Sequence, residues 1–233
     1  MDERKGTHLT RSIAAPGPFG DRRQRRIGLL GGSFNPAHAG HQAVAEAARK
    51  ALGLDAVWLL VSPGNPLKSW SGMAPFPERL ASAQLMADGV HVIATDIELK
   101  LGYRRTERTL AKLRRRFPTT RFVFIIGADN LWQLPSWGAW RRLAANTPLA
   151  VLPRPGWTRK SLHGKAASVL RHRRRKPRRL LLPSTSGKAG WTLIPAREVA
   201  LSSTAIRDAE NRRQEQASSV VTSLPLLTAT QAL

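Results

Sequence analysis

The sequence predicts an α/β protein built on one doubly wound parallel sheet, and three observations carry that prediction. Short apolar runs alternate with segments of helical periodicity along the chain. The runs are continuous rather than alternating with polar residues, as expected of strands covered on both faces. A length of 233 residues with a hydrophobic fraction of 42% suits one such domain with appendages.

Residues 1–25 read as a flexible basic leader, because Pro16-Gly17-Pro18 and scattered charges leave no apolar core of the kind a secretory signal needs. The ordered domain is expected over 26–215, followed by a divergent tail over 216–233. Residues 27–30 form the first strand, ending in Gly31-Gly32. In 42–52, Val44, Ala47, Ala48, Ala51 and Leu52 share one helical face, and Gly53 supplies the stop. Residues 56–61 form the second strand, closed by Ser62-Pro63-Gly64. A helix follows over 77–86 with Pro77 in its first turn, then a third strand over 90–94. Residues 106–117 predict a helix with Leu110, Leu113 and Phe117 on one face. The clearest strand is 122–126, and 149–152 is a shorter one. A last strand near 191–194 precedes a helix expected to begin at about Ser203. Residues 160–188 are basic and irregular, and no element is assigned to them.

Lys and Arg number 38 against 15 Asp and Glu, a net charge of +23 that attracts anions such as nucleotides, nucleic acid or anionic surfaces. The charge gathers at Arg22, Arg23, Arg25 and Arg26, at Arg114, Arg115 and Arg116, and from Arg171 to Arg179. Without interleaved aromatics these blocks read as solvated helix faces and loops, with any nucleic-acid binding non-specific. The chain has no cysteine, which excludes disulfides, thiolate metal sites and cysteine nucleophiles and fits a reducing cytosol. No apolar stretch approaches the ~20 residues of a membrane-spanning helix. The expectation is a soluble, cytoplasmic protein.

Two constellations carry chemistry. The first is Gly31-Gly32-Ser33-Phe34-Asn35-Pro36-Ala37-His38-Ala39-Gly40-His41, directly after a strand. Glycines there let backbone N–H groups approach phosphate oxygens. His38 and His41 fall at the entry to a helix, whose N-terminus adds about half a positive charge. Two imidazoles beside an anion site can donate to oxygens that gain charge in phosphoryl transfer. The second is Ser202-Ser203-Thr204-Ala205-Ile206-Arg207, where hydroxyls at a helix start and an arginine one turn on can hold one anion. Taken alone, that second segment is more often an ordinary N-cap beside a surface arginine.

Together the two segments resemble the signatures of the nucleotidylyltransferase superfamily, in its H-x-G-H form. Between them, Asn65-Pro66-Leu67-Lys68, Gly127-Ala128-Asp129-Asn130-Leu131 with Trp137 and Trp140, and Arg154-Pro155-Gly156 are similar to segments of bacterial nicotinate-nucleotide adenylyltransferases. The resemblance covers roughly residues 26–207. It implies a Rossmann-like fold and transfer of an adenylyl group from ATP to nicotinate mononucleotide. ATP would contact Gly32, Ser33, Phe34, His38, His41, Ser202, Ser203, Thr204 and Arg207, with His38, His41 and Arg207 as the catalytic set. The mononucleotide would meet Lys68, Thr106, Asp129, Trp137 and Arg154. Mg²⁺ would be held mainly by the ATP phosphates, since no carboxylate cage is evident. The same chemistry on nicotinamide mononucleotide or phosphopantetheine stays open, as does a basic RNA- or ribosome-binding protein on a degenerate fold of this kind. Oligomeric state is not legible.

One segment departs from the family pattern. Where a Thr-x-Asp-Thr-Leu stretch is expected, the chain reads Thr106-Glu107-Arg108-Thr109-Leu110, preceded by Arg104 and Arg105. Cationic side chains here are candidates to supplement the backbone donors that read the nicotinate carboxylate. Alternatively, Arg108 points from its helix to solvent.

Overall fold

The side chains of each central strand divide between two cores. In β1 (Arg26–Gly32), Ile27 and Leu29 pack on one side of the sheet and Leu30 on the other. The computed structural model describes residues 16–17, 19–64, 72–102, 105–184 and 186–198. After β1 come α1 (Ala39–Leu52), β2 (Ala56–Val61), α2 (Phe76–Met86), β3 (Val92–Thr95), α3 (Ile97–Leu101) and α4 (Thr106–Arg116). The chain continues through β4 (Arg121–Gly127), α5 (Ala128–Gln133), α6 (Trp140–Asn146), β5 (Leu149–Leu152), α7 (Thr158–Leu162), α8 (Lys165–Val169) and β6 (Trp191–Leu193).

The described strands form one sheet in the order β3-β2-β1-β4-β5-β6, with every neighbouring pair parallel. This is the doubly wound, Rossmann-like sheet the sequence predicts, covered on both faces. In β2, Trp58 and Leu60 join α4, α5 and α6 on one side, while Val57 and Leu59 join α1 and α2 on the other. Trp58, Phe117 and Phe122 meet edge to face at centroid separations of 5.4–6.0 Å, which seats the end of α4 on the sheet. The chain order reverses between β1 and β4, so a crevice opens outside their carboxyl ends.

Boundaries differ from the sequence reading for local reasons. α1 starts at Ala39, ahead of the predicted 42, because His38 caps it. β3 starts at Val92 because one carboxylate oxygen of Asp88 accepts the N–H groups of Val90, His91 and Val92, which makes 88–91 a turn. α3, α5, α7 and α8 have only five or six residues each, too few for periodicity to reveal.

The basic run 171–179 is corrected more substantially. It is no uniformly solvated face. Arg173 donates to the carbonyls of Ala144 and Ala189, Arg174 lies 5.3 Å from the centre of the Trp191 ring, and Arg175 donates to the Leu182 carbonyl. The Arg175 N–H also bonds the Trp191 carbonyl, so this stretch lies along the outer side of β6. Arg171, Arg174, Lys176, Arg178 and Arg179 do remain exposed.

Candidate active site

β1 ends at Gly32, and the chain turns over the strand's carboxyl end before α1. Phe34 adopts φ 48°, a left-handed conformation that costs a bulky residue about 1–3 kcal/mol unless its surroundings fix it. Its ring is buried beside Gly32, where a Cβ would stand 3.1 Å from the ring. Asn35 and Ala37 tie the loop to the neighbouring segment. The Asn35 amide donates to the Gly72 carbonyl at 2.9 Å and accepts from the Ala74 N–H at 3.0 Å. The Ala37 N–H donates to Ser82 Oγ at 3.0 Å.

The two histidines cap α1 reciprocally. His38 Nδ1 accepts the Gly40 N–H at 3.1 Å, and His41 Nδ1 accepts the His38 N–H at 3.2 Å. With both Nδ1 atoms accepting, a neutral ring at either position carries its proton on Nε2. The rings stack 3.9 Å apart between centroids, and the Phe34 ring backs His41 at 4.8 Å. Burial and then the positive charge of Arg154 hold His38 below the usual imidazole pKa.

Across the switch point, α5 starts directly from β4. A Cβ at Gly127 would collide with Asp129 Oδ1, so only glycine lets that carboxylate fold back over the strand end. Asp129 Oδ2 accepts from Arg154 Nη1 at 3.0 Å, while its buried Oδ1 has no hydrogen-bond partner among the described residues. A buried carboxylate oxygen without a partner is an acceptor in need of a donor. Arg154 sits in the turn after β5, where its N–H donates to Thr158 Oγ1 at 2.8 Å. The Thr158 hydroxyl in turn reaches Glu198 at 2.6 Å.

Trp137 is half-buried, its ring edge-on to Phe124 at 6.3 Å, and Trp140 belongs to the core. Thr106 opens α4, and the preceding Arg105 lays its guanidinium against Gly138, three of its atoms 3.9 Å from where a Cβ would stand. Arg108 is exposed on the outer side of α4, in a groove with Glu107, Ala111, Arg115 and Arg142. Of the described cationic residues at this departure from the family pattern, Arg105 is the one that reaches Gly138, next in the chain to Trp137. Arg104, Lys68, Ser202, Ser203, Thr204 and Arg207 lie outside the described residues.

Sequence reasoning missed Arg79, which α2 buries beneath the β1–α1 loop. The signal was present: Arg79 falls on the face that Phe76, Leu80 and Ala83 turn to the core. A charge on an apolar stripe marks a buried polar contact.

The parallel sheet, its switch-point crevice and the imidazole-bearing loop define a nucleotide-binding α/β protein. The cytidylyltransferase-like family pattern matches residues 29–209. A probable nicotinate-nucleotide adenylyltransferase of Gluconobacter oxydans is 56% identical over 191 residues, covering 82% of this chain and 97% of the relative. One from Gluconacetobacter diazotrophicus is 46% identical over 205 residues, covering 88% and 94%. The nicotinic acid mononucleotide adenylyltransferase of Plasmodium falciparum, solved in complex with NaAD, shares the fold at a TM-score of 0.58 and 17% identity, over 79% of this chain and 83% of that one. The chain belongs to the cytidylyltransferase-like family, on its nicotinate-nucleotide adenylyltransferase branch.

Proposed function

We propose that this protein joins the adenylyl group of ATP to the 5′-phosphate of nicotinate mononucleotide, releasing pyrophosphate and forming nicotinate adenine dinucleotide for NAD biosynthesis. The observation that carries the chemistry is the histidine pair, whose Nδ1 atoms cap a helix N-terminus over β1 and so direct the ring protons to Nε2. The names of the relatives support the choice of acceptor.

In this reading a 5′-phosphate oxygen attacks the α-phosphorus in line. The bond from that phosphorus to the α,β-bridging oxygen breaks, and pyrophosphate leaves with its electrons. No covalent nucleophile is needed, because positioning and charge stabilisation supply most of the catalysis. His41 stabilises charge on the transferring α-phosphoryl. His38, held neutral, orients the triphosphate with the N–H groups of Gly32, Ser33 and Phe34. Ser202, Ser203, Thr204 and Arg207 complete the triphosphate site. Asp129 takes a hydroxyl donor of the nucleotide on its orphaned oxygen, kept in place by Arg154, while Lys68 meets the mononucleotide phosphate. Trp137 packs beside the nicotinate ring, near Thr106.

Mg²⁺ belongs with the ATP phosphates. The described residues include no group of three or more His, Asp or Glu placed around a metal, and one carboxylate among imidazoles and arginines is a poor cage for a hard cation. When bound, the ion neutralises part of the triphosphate charge.

Pyrophosphate release from ATP, measured with nicotinate mononucleotide, nicotinamide mononucleotide and phosphopantetheine in parallel, tests the proposal. Release with the first acceptor at the highest kcat/KM is expected. No release with any of the three rejects the enzymatic reading.

A further inference from the structure

Beneath the β1–α1 loop lies a buried cation without a carboxylate partner among the described residues. Arg79 is 2% exposed, and burial lowers its pKa from the ordinary arginine value, although a guanidinium stays charged. Its Nε donates to the Ala74 carbonyl at 2.9 Å. Its Nη1 donates to the Ser33 carbonyl at 2.7 Å and the Ser62 carbonyl at 2.8 Å. The side chain also rests on Phe76, 5.5 Å from the ring centre. The three carbonyls belong to three segments: the loop after β1, the end of β2 and the entry to α2.

An apolar side chain would fill this volume without desolvating a charge, so packing alone does not account for arginine. What the planar fork adds is direction. In a planar trans peptide the C=O and N–H point opposite ways. Drawing the Ser33 oxygen down to Arg79 therefore turns the Phe34 N–H to the opposite, outer side of the loop. The same bond braces Phe34 at its positive φ.

We propose that Arg79 is a positioning residue for triphosphate binding. It sets the Ser33–Phe34 peptide so that the Phe34 N–H meets a phosphate oxygen, and it locks that loop to the ends of β2 and α2. The inference rests on the reading that this loop takes ATP.

The test is calorimetric binding of a non-hydrolysable ATP analogue and, separately, of nicotinate mononucleotide to wild type, Arg79→Lys and Arg79→Met. Lysine keeps the charge, but its single ammonium cannot serve three carbonyls in the fork's geometry. Methionine keeps the bulk and removes every donor. In both variants, below their melting temperatures, the Kd for the ATP analogue is expected to rise about 10- to 100-fold, the scale of one charge-assisted hydrogen bond. The Kd for the mononucleotide should stay within about 2-fold, inside what a distant substitution leaves unchanged. A merely structural arginine would lower Tm and spare both affinities, and a general collapse of the site would weaken both equally. Either result overturns the proposal. Should Arg79→Met fail to fold, Arg79→Lys decides on the same thresholds. A wild type that binds no ATP analogue removes the reading of the loop and the role of Arg79 with it. Unchanged affinities in variants of a wild type that does bind remove the role of Arg79 alone.

Discussion

The two ends of the sheet handle positive charge differently. At the carboxyl end, the described cations nearest the histidines are committed to partners. Arg79 holds three carbonyls and Arg154 holds Asp129, while His38 is kept neutral by burial and by Arg154. At the amino end, some arginines pair locally, Arg26 with Asp55 and Arg49 with Glu46, while others are left to solvent. Arg26 and Arg121 begin neighbouring strands, and α1 and α4 end there in Arg49, Lys50, Arg114, Arg115 and Arg116, where cations suit the helix dipole. Arg22, Arg25, Arg115 and Arg116 make no ion pair among the described residues. The net charge of +23 is therefore a poor guide to the site. Loose surface cations raise the local concentration of anions over distances that salt screens, whereas fixed donors decide which phosphate oxygen is held.

Histidine 41 tests the comparison most severely. His41→Ala should lower kcat by about 10²-fold or more, the scale of a lost oxyanion donor, with a much smaller change in KM for ATP. The triple change Arg22→Ser, Arg23→Ser, Arg25→Ser at the amino end should leave kcat unchanged and only flatten the salt dependence of kcat/KM. Steady-state kinetics at two ionic strengths settles both, and a kcat loss in the triple variant would break the contrast between the ends.

Arg105 sharpens it, as an exposed cation at the carboxyl end. Arg105→Ala should cut the preference for nicotinate over nicotinamide mononucleotide by about 10- to 100-fold, the worth of a charge-assisted hydrogen bond to a carboxylate. Arg108→Ala, on the outer groove, should leave the ratio of the two kcat/KM values unchanged. The opposite pattern would return the recognition role to Arg108.

The smallest effect concerns Glu98, on the short helix that follows β3. Burial raises its pKa from 4.5 to about 7, against the Thr109 hydroxyl, which favours the charged form. A carboxyl whose pKa is higher folded than unfolded contributes stability that is complete below the unfolded value and lost as pH rises through about 7. Glu98→Gln should therefore raise stability at pH 8 by about 1 kcal/mol, discounted for partial exposure, and leave it unchanged at pH 4. Urea midpoints at the two pH values measure this. Equal shifts at both would show that the side chain's charge is irrelevant.

The sheet was legible in the sequence because its strands are buried on both faces and leave uninterrupted apolar runs, as 122–126 does most clearly. The histidine loop was legible because its chemistry is local: both caps lie within four residues of each other. Arg79 was not, since its partners come from segments 46, 17 and 5 residues away, and only folding brings those carbonyls together. Nor could the sequence choose between Arg105 and Arg108. Their separation is an angle around α4, decided by which residues of that helix the core claims: Thr109, Leu110 and Leu113. The run 171–179 was legible only in part for a related reason. Charge density says nothing about whether an arginine head meets water or a carbonyl such as that of Ala144.

Along β6, the Arg175 N–H and the bridge at Arg174 occupy backbone groups that an outermost strand would otherwise present to its surroundings. An unsatisfied strand margin is a template on which another chain can add itself, the first step toward intermolecular sheets. Here that margin is lined by Arg173, Arg174 and Arg175, whose like charges repel a second copy as their backbone occupies the pairing positions. A chain concentrated in a crowded cell would gain resistance to self-association at this margin, far from the chemistry at the opposite turns of the molecule.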